Sequence, residues 1–282
     1  MNVIFVYNPQ AGSSIERRKL RQLCKRYGIT VERFIPLDDN LAHHLVPHVK
    51  SAKTIVAMGG DGTVSAVAGV VAGTRAILAP LPGGTLNHFV KDLGIPDDLE
   101  SALKNLTESQ VIKVDVATVN GSVFVNNSSI GLYPMSLRER GWLEKYTGKW
   151  LAAVVGSLRA LVRFRTYTVT IDDEIFRTPF LFVGNNEYDV ESIGFARRNV
   201  LDGGTLTVFV ARTTSRAQLL KLVGLSLIGK AGMAPEFVVR RVASLEVQTG
   251  KKRLHVSRDG ELIMLESPLR FQIHPGVLKI RL

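Results

Sequence analysis

The sequence predicts an α/β fold followed by a β-rich one: a mostly parallel sheet over the first 120 or so residues, then a sandwich or layered antiparallel sheet. Two observations predict this. The first part alternates apolar runs with amphipathic stretches, which is the βαβα order of a parallel sheet covered on both faces. The second part is a series of short runs rich in β-branched and aromatic residues, separated by turn residues. A length of 282 residues accommodates one large domain or two ordinary ones.

Taken in order, NVIFVYN (2–8) reads as a strand, SIERRKLRQLCKRYG (14–28) as a basic helix and TVERFIP (30–36) as a strand. A helix is expected over 43–50, a buried strand at KTIVAM (53–58), and a helix of small and apolar residues over 64–72. RAILAPLP (75–82) is the next strand, with helices around 86–93 and 98–106 after it. Beyond that come SVFVNNS, TYTVTI, TPFLFVGN, GTLTVFVA, FVVRRV, SLEVQT, RLHVSRD and LRFQIH, all strand-like, with helical stretches at about 143–163 and 215–230. The change of texture places a boundary near residue 122, without a linker sequence to mark it.

Composition narrows the function classes. A chain that is 45% hydrophobic and 22% charged is globular. Its single cysteine, Cys24, cannot form an internal disulfide, which fits a reducing cytoplasm. No run of 18 or more residues is apolar and uncharged, so no membrane-spanning helix is expected. MNVIFVYNP lacks a basic leader and reads as a strand rather than a signal peptide. A net charge of +11 favours anionic partners: nucleotides, nucleic acid or an acidic membrane face. Cations are dense over 133–165 (Arg138, Arg140, Lys145, Lys149, Arg159, Arg163, Arg165), with Trp142, Tyr146 and Trp150 among them. That mixture suits an anionic membrane surface; a solvated basic face or a helix packed on the sheet gives the same pattern. Nucleic-acid signatures are missing, and nucleic acid is not expected as a partner.

The chemistry concentrates in turns at the carboxyl ends of strands, where open α/β sheets bind ligands. Gly59-Gly60-Asp61-Gly62-Thr63 joins a strand to a helix. Glycines there let backbone N–H groups approach a phosphate, and the helix N-terminus favours an anion. Asp61 would repel a phosphate unless a cation stands beside it, and Mg²⁺ carried by a nucleotide supplies one. LPGGTLNHF (81–89) is a second glycine turn, in which Thr85 offers a hydroxyl to phosphate or caps the next helix. NPQAG (8–12) follows the first strand and would form a third wall. RDGE (258–261) is either a hairpin turn alone or a turn that presents Glu261 as a general base. GLSLIGKA (224–231) begins like a P-loop but ends in Ala231 and reads as helix. The six histidines lack metal-site spacing, and GxSxG is absent.

GGDGT, LPGGTLNHF and DGE, in this order, resemble the diacylglycerol kinase catalytic-domain family, which includes soluble bacterial lipid kinases and sphingosine kinases. NPQAG, VNNSSIGLYP and LDGGTLTVFV match further segments of its pattern, so the resemblance runs along nearly the whole chain. It implies a Rossmann-like N-terminal domain (1–122), rejoined by GVLKIRL (276–282) as an extra strand, and a β-sandwich-like lipid-substrate domain (123–275), in the manner of NAD kinases and diacylglycerol kinases. ATP and Mg²⁺ are the implied cofactors, with the nucleotide on Asn8, Gly59, Gly60, Asp61, Gly62, Thr63, Gly84 and Thr85. Glu261 and Asp61 are the implied catalytic residues; Asp61 and Asp115 belong to the Mg²⁺ network, and Asn199, Asp202 and Gly204 to a structural Mg²⁺ site.

The implied activity is transfer of the ATP γ-phosphate to a lipid hydroxyl, diacylglycerol first. Monoacylglycerol, a sphingoid base, ceramide or a prenol stay open, as do a homodimer and peripheral membrane contact. Two departures from the family pattern stand out. His88 replaces an acid found after Asn87 in many members, and Ser13-Ser14 replaces a lysine seen in some. An NAD kinase has its own GGDG turn and an Asn-Glu pair, which Asn186-Glu187 imitates. LPGGTLNH and the late DGE favour the lipid enzyme. A non-catalytic lipid or nucleotide sensor on the same fold is the alternative from another class.

Overall fold

A computed structural model of the chain describes residues 1–8, 16–51, 53–108, 110–131, 166–171, 174–188, 198–213, 215–218, 221, 225 and 234–282. The N-terminal part alternates as its sequence pattern requires: β1 (Asn2–Tyr7), α1 (Arg17–Arg26), β2 (Thr30–Pro36), α2 (Leu41–Val49), β3 (Thr54–Gly59), α3 (Asp61–Val71), β4 (Ile77–Pro82), α4 (His88–Asp92) and α5 (Leu99–Glu108). The strands that follow are β5 (Val111–Val119), β6 (Ser122–Phe124), β7 (Asn127–Gly131), β8 (Tyr167–Ile171), β9 (Glu174–Thr178), β10 (Phe180–Asn185), β11 (Leu206–Ala211), β12 (Phe237–Val242), β13 (Ser244–Val247), β14 (Arg253–Arg258), β15 (Glu261–Glu266) and β16 (Leu269–Arg281).

Strands β2-β1-β3-β4 pair in parallel. All six residues of β3 are buried, as expected of a strand covered on both faces. Leu41, Leu45, Val64 and Val67 of α2 and α3 pack on one face of this sheet. Leu20 and Cys24 of α1 and Leu103 and Leu106 of α5 pack on the other. Burial pushes the Cys24 thiol up to about 11.

The last strand ties the chain together. LRFQIH and GVLKIRL, separate segments in the sequence reading, form the single strand β16. Its pairing with β5 is irregular between His274 and Leu278, around Pro275-Gly276, and Gly276 is left-handed (φ 61°). Beyond that bend Ile280 pairs in parallel with Leu78 of β4, so the C-terminal segment does rejoin the first sheet. Before the bend β16 pairs with β13, which leads to β8 and β9. One ten-stranded sheet results, and it continues across residue 122. The domain limits 1–122 and 123–275 therefore stand as a proposal about units rather than as a break in the sheet.

A second sheet, β12-β11-β10-β7-β14-β15, is antiparallel throughout. Its inner face (Ile130, Leu181, Val183, Val208, Val256) packs on Ala117, Val169, Phe271 and Ile273 of the first sheet. This two-layer packing is the predicted sandwich. Of the expected helical stretches, 143–163 lies outside the described residues, as does most of 215–230; so do the cation-rich positions of 133–165 and all but Leu225 of GLSLIGKA.

Candidate active site

Parallel pairing of β3 and β4 sets Gly59 beside Pro82, so the two glycine turns leave the sheet side by side. They touch through their backbones. A Cβ on Gly83 would lie 2.8 Å from the Gly59 nitrogen, and one on Gly84 would lie 2.4 Å from the Gly60 Cα. Only glycine permits this approach. Asn87, left-handed at φ 52°, closes the second turn by accepting a hydrogen bond from the Gly84 amide through Oδ1 (2.9 Å). Thr85 and Leu86 stand exposed at its tip. Gly84→Ala is expected to destabilise the protein by about 1–3 kcal/mol through overpacking. Urea unfolding checks this, with Gly250→Ala as control, because nothing lies within 4 Å of a Cβ at that position.

Gly60 caps α3, its carbonyl accepting from the Thr63 (3.0 Å) and Val64 (3.2 Å) amides, so the Asp61 and Gly62 amides are the ones a helix start offers to a ligand. Thr63 is 3% exposed and packs on Gly59: a Cβ there would lie 2.3 Å from its Oγ1. Its hydroxyl thus borders the turn instead of standing open beside it. Asn8 follows β1 and is half-buried, while 9–12 of NPQAG lie outside the described residues.

Asp61 takes a part its sequence position did not reveal. Its Oδ1 accepts from the Phe89 amide (3.0 Å) and from Asn126 Nδ2 (3.0 Å), and its Oδ2 from the His88 amide (3.2 Å). It thereby fastens the start of α4 to the first glycine turn. His88 contributes its backbone to this contact. Of the roughly four lone-pair sites of a carboxylate, about one is left for a cation or a cation-bound water.

Glu261 reaches the same place from the second sheet. β14 and β15 are joined by Asp259-Gly260, both at positive φ (46° and 82°), the two-residue turn that suits a twisted hairpin. Asp259 is far more than a turn residue. Its buried carboxylate accepts from three successive amides, Val125 (2.8 Å), Asn126 (2.8 Å) and Asn127 (3.0 Å). Burial pushes this carboxyl up, and the Ser65 hydroxyl and the three amides oppose the shift. With the turn pinned, Glu261 lies against the start of α3: a Cβ on Gly62 would sit 2.2 Å from Glu261 Oε1. The absence of a side chain at Gly62 is what admits the carboxylate. Arg258 is its cationic neighbour at 3.8 Å.

Four residues that the sequence reading passed over hold these parts in place. Arg198 is 1% exposed. It donates through Nε to Asp92 (2.7 Å), through Nη1 to the Val125 (2.6 Å) and Asn185 (3.0 Å) carbonyls, and through Nη2 to Asn126 Oδ1 (2.6 Å). The last bond orients the Asn126 amide so that its Nδ2 points at Asp61. Tyr188 donates to the Asn126 carbonyl (2.9 Å), and burial pushes its hydroxyl up to about 12.

Asp115, expected in a Mg²⁺ network, is buried and accepts from the Gly204 (2.7 Å) and Gly276 (2.8 Å) amides. The structure thus brings it to Gly204 of the expected structural site but engages both its oxygens with backbone. Asn199 and Asp202 are exposed in the same loop. Among the described residues no three His, Cys, Asp or Glu side chains stand close enough to hold a metal. The donor set fits a nucleotide-borne Mg²⁺ at Asp61 and does not by itself form a second side-chain metal centre. Glu187 of the Asn-Glu pair is ion-paired with Arg241, and Asn186 is buried at φ 68°.

Comparison with known proteins bears on the family and the fold. Residues 2–119 match the diacylglycerol kinase catalytic domain, and residues 144–282 match the YegS C-terminal NAD kinase beta sandwich-like domain. The chain belongs to the diacylglycerol kinase catalytic-domain family. A Pseudomonas aeruginosa protein described as "Probable lipid kinase YegS-like" is 29% identical over 99% of this chain and 93% of its own length. A Cronobacter sakazakii protein of the same description is 40% identical over 86 residues, 29% of each chain. A Staphylococcus aureus diacylglycerol kinase is 24% identical over 91% of this chain and 84% of its own. In structure, a diacylglycerol kinase from Bacillus anthracis superposes with TM-score 0.72 at 24% identity, covering 99% of this chain and 96% of that one. An Archaeoglobus fulgidus NAD kinase in complex with ATP reaches TM-score 0.54 at 14% identity, covering 100% and 92%. These likenesses bear out the α/β-plus-sandwich fold and the lipid kinase family. Among the described residues, no helix is long and apolar enough to cross a membrane.

Proposed function

We propose that the protein is an ATP-dependent lipid kinase that phosphorylates a hydroxyl of a neutral lipid, diacylglycerol first. The observation that carries this is the approach of Glu261 to Gly62, which sets a carboxylate over the helix N-terminus and glycine turns that suit a triphosphate. The same reading assigns the nucleotide to Asn8, Gly59, Gly60, Gly62, Thr63, Gly84 and Thr85. Asp61 would take one position on nucleotide-bound Mg²⁺, the others falling to phosphate and water. That ion, when bound, neutralises charge on the phosphate oxygens.

In the reaction the lipid oxygen forms a bond to the γ-phosphorus as the bond to the β-bridging oxygen breaks, and ADP leaves with that electron pair. The hydroxyl proton passes to Glu261. The backbone turns hold the phosphates in line, and the pinned Asp259-Gly260 hairpin holds the base. Arg17, Arg18, Arg21 and Arg33 border a groove of about 640 Å³ on α1 and β2, a cationic surface in keeping with peripheral contact to an anionic membrane.

Transfer of radiolabelled phosphate from ATP to a panel of lipids, resolved by chromatography, tests the proposal. A labelled lipid is expected; label on NAD and none on lipid would favour the NAD kinase reading instead. ATP turnover with no labelled acceptor in either would sink both.

A further inference from the structure

Arg258 and Glu261 face each other directly across β14 and β15. Two positions along the same strands, Val256 and Ile263 are partners and pack between the two sheets. Side chains on a strand alternate in facing, so Arg258 and Glu261 share that inner face, at its end nearest α3. Glu261 Oε1 lies 2.2 Å from the place of a Cβ on Gly62, and Arg258 Nη2 stands 3.8 Å from Glu261 Oε2. The guanidinium is therefore one carboxylate away from the start of α3. Asp259, next in the chain, is pinned by three backbone amides, which fixes the strand end that carries Arg258.

The Arg258 side chain is only 21% exposed, and its Nε is buried with no hydrogen-bond partner among the described residues. Its contact with Glu261, at 3.8 Å, is an ion pair and not a hydrogen bond. Buried Arg198, by contrast, places its donors on a carboxylate, two carbonyls and an amide oxygen. A largely buried cation with so few hydrogen bonds is costly. A planar fork of donors beside a helix start and two glycine turns suits phosphate oxygens.

We infer that Arg258 is a further catalytic residue, which binds the γ-phosphoryl group as it moves from nucleotide to lipid, a role that rests on the lipid kinase reading and deepens it. The lipid oxygen bonds to phosphorus, ADP departs with the electron pair of the broken bond, and the hydroxyl proton passes to Glu261. Glu261 is then neutral, and Arg258 keeps no ion-pair partner among the described residues. The phosphoryl oxygens take the place of that partner. The guanidinium donates parallel N–H bonds to them and itself neither gains nor loses a proton. Loss of one anion and capture of another are thus tied to a single proton transfer, so the contact forms in the transition state and not with bound ATP. Such a contact acts on kcat.

Arg258→Met keeps the bulk of the side chain and removes the fork. It is expected to lower kcat for phosphate transfer to dioctanoylglycerol, or to whichever lipid of the panel is labelled, by about 10²–10³-fold. KM for the lipid and affinity for ADP should stay unchanged. Calorimetric titration of ADP with magnesium and the same lipid, with and without aluminium fluoride, gives a readout apart from turnover. The fluoride stands in for the phosphoryl group in transit, and it should tighten ADP binding to the unsubstituted protein but not to R258M. Guanidinium ion, below unfolding concentrations, should restore part of the turnover of R258A, which a purely structural side chain would not allow. Tm of R258M should be unchanged; if that variant is unstable, Arg258→Lys and the rescue of R258A serve instead. Unchanged kcat and unchanged fluoride-dependent tightening in R258M overturn the role and leave the kinase reading standing. A raised KM for the lipid with kcat intact would make Arg258 a lipid contact and overturn the role too. Absence of both transfer and fluoride-dependent tightening in the unsubstituted protein rejects the kinase reading, and this role with it.

Discussion

Glu261→Gln is expected to lower lipid phosphorylation turnover by about 10²–10⁴-fold and to leave ATP binding unchanged. The substitution keeps size and shape but removes the proton acceptor. Because Glu261 opens β15 and its side chain is 55% exposed, the fold does not depend on its charge. Stability should change by no more than about 0.5 kcal/mol. The loss should fall on kcat, because proton removal belongs to the transition state and not to lipid binding. Nucleotide affinity by calorimetry and steady-state phosphate transfer give the two readouts. If kcat survives, the base lies elsewhere. If ATP affinity falls together with kcat, Glu261 shapes the nucleotide site and does not act on the hydroxyl.

The parts of this site that were legible in the sequence are those with local causes. A glycine turn between an apolar run and a helix can be read from a few neighbouring residues, and so the two turns of 59–63 and 81–89 were found, together with the DGE hairpin. The parts that were missed depend on distant contacts. Asp259 looked like an ordinary hairpin residue, because its acceptor role needs the amides of 125–127 from another strand. Arg198 is one of 36 Lys and Arg residues, and nothing beside it in the chain distinguishes a buried clamp from a surface cation. Its partner Asp92 likewise ends a short helix with no local signal of burial. The Asp61 reading assumed a carboxylate free for a cation; three donors from α4 and Asn126 make it a fastener as well. Continuity of the first sheet past residue 122 depends on Ile280 meeting Leu78, a contact no window of sequence contains.

Arg198→Met is expected to be the most damaging single change to stability, at about 3–5 kcal/mol. The pair it breaks is buried, with the Arg198 side chain 0% and the Asp92 side chain 5% exposed. Among the described residues Asp92 would keep only the backbone amide of residue 198 as donor, at 3.1 Å. The Val125 carbonyl and Asn126 Oδ1 would lose a guanidinium donor in a place poorly reached by water. Activity should fall as well, because the Asn126 amide would no longer be fixed with its Nδ2 toward Asp61. Asp92→Asn in the Arg198→Met background separates the causes. It removes the stranded charge, so the double variant should recover part of the stability lost, and the cycle should show a coupling of about 1 kcal/mol or more. Catalysis should not recover with it, since neither substitution restores the bond to Asn126. Additive losses in the cycle would show that Asp92 and Arg198 contribute independently. Full recovery of turnover would remove Arg198 from any part in orienting the site. Arg198→Lys should rescue little, because an ammonium cannot reproduce a planar fork shared among one carboxylate, two carbonyls and an amide oxygen.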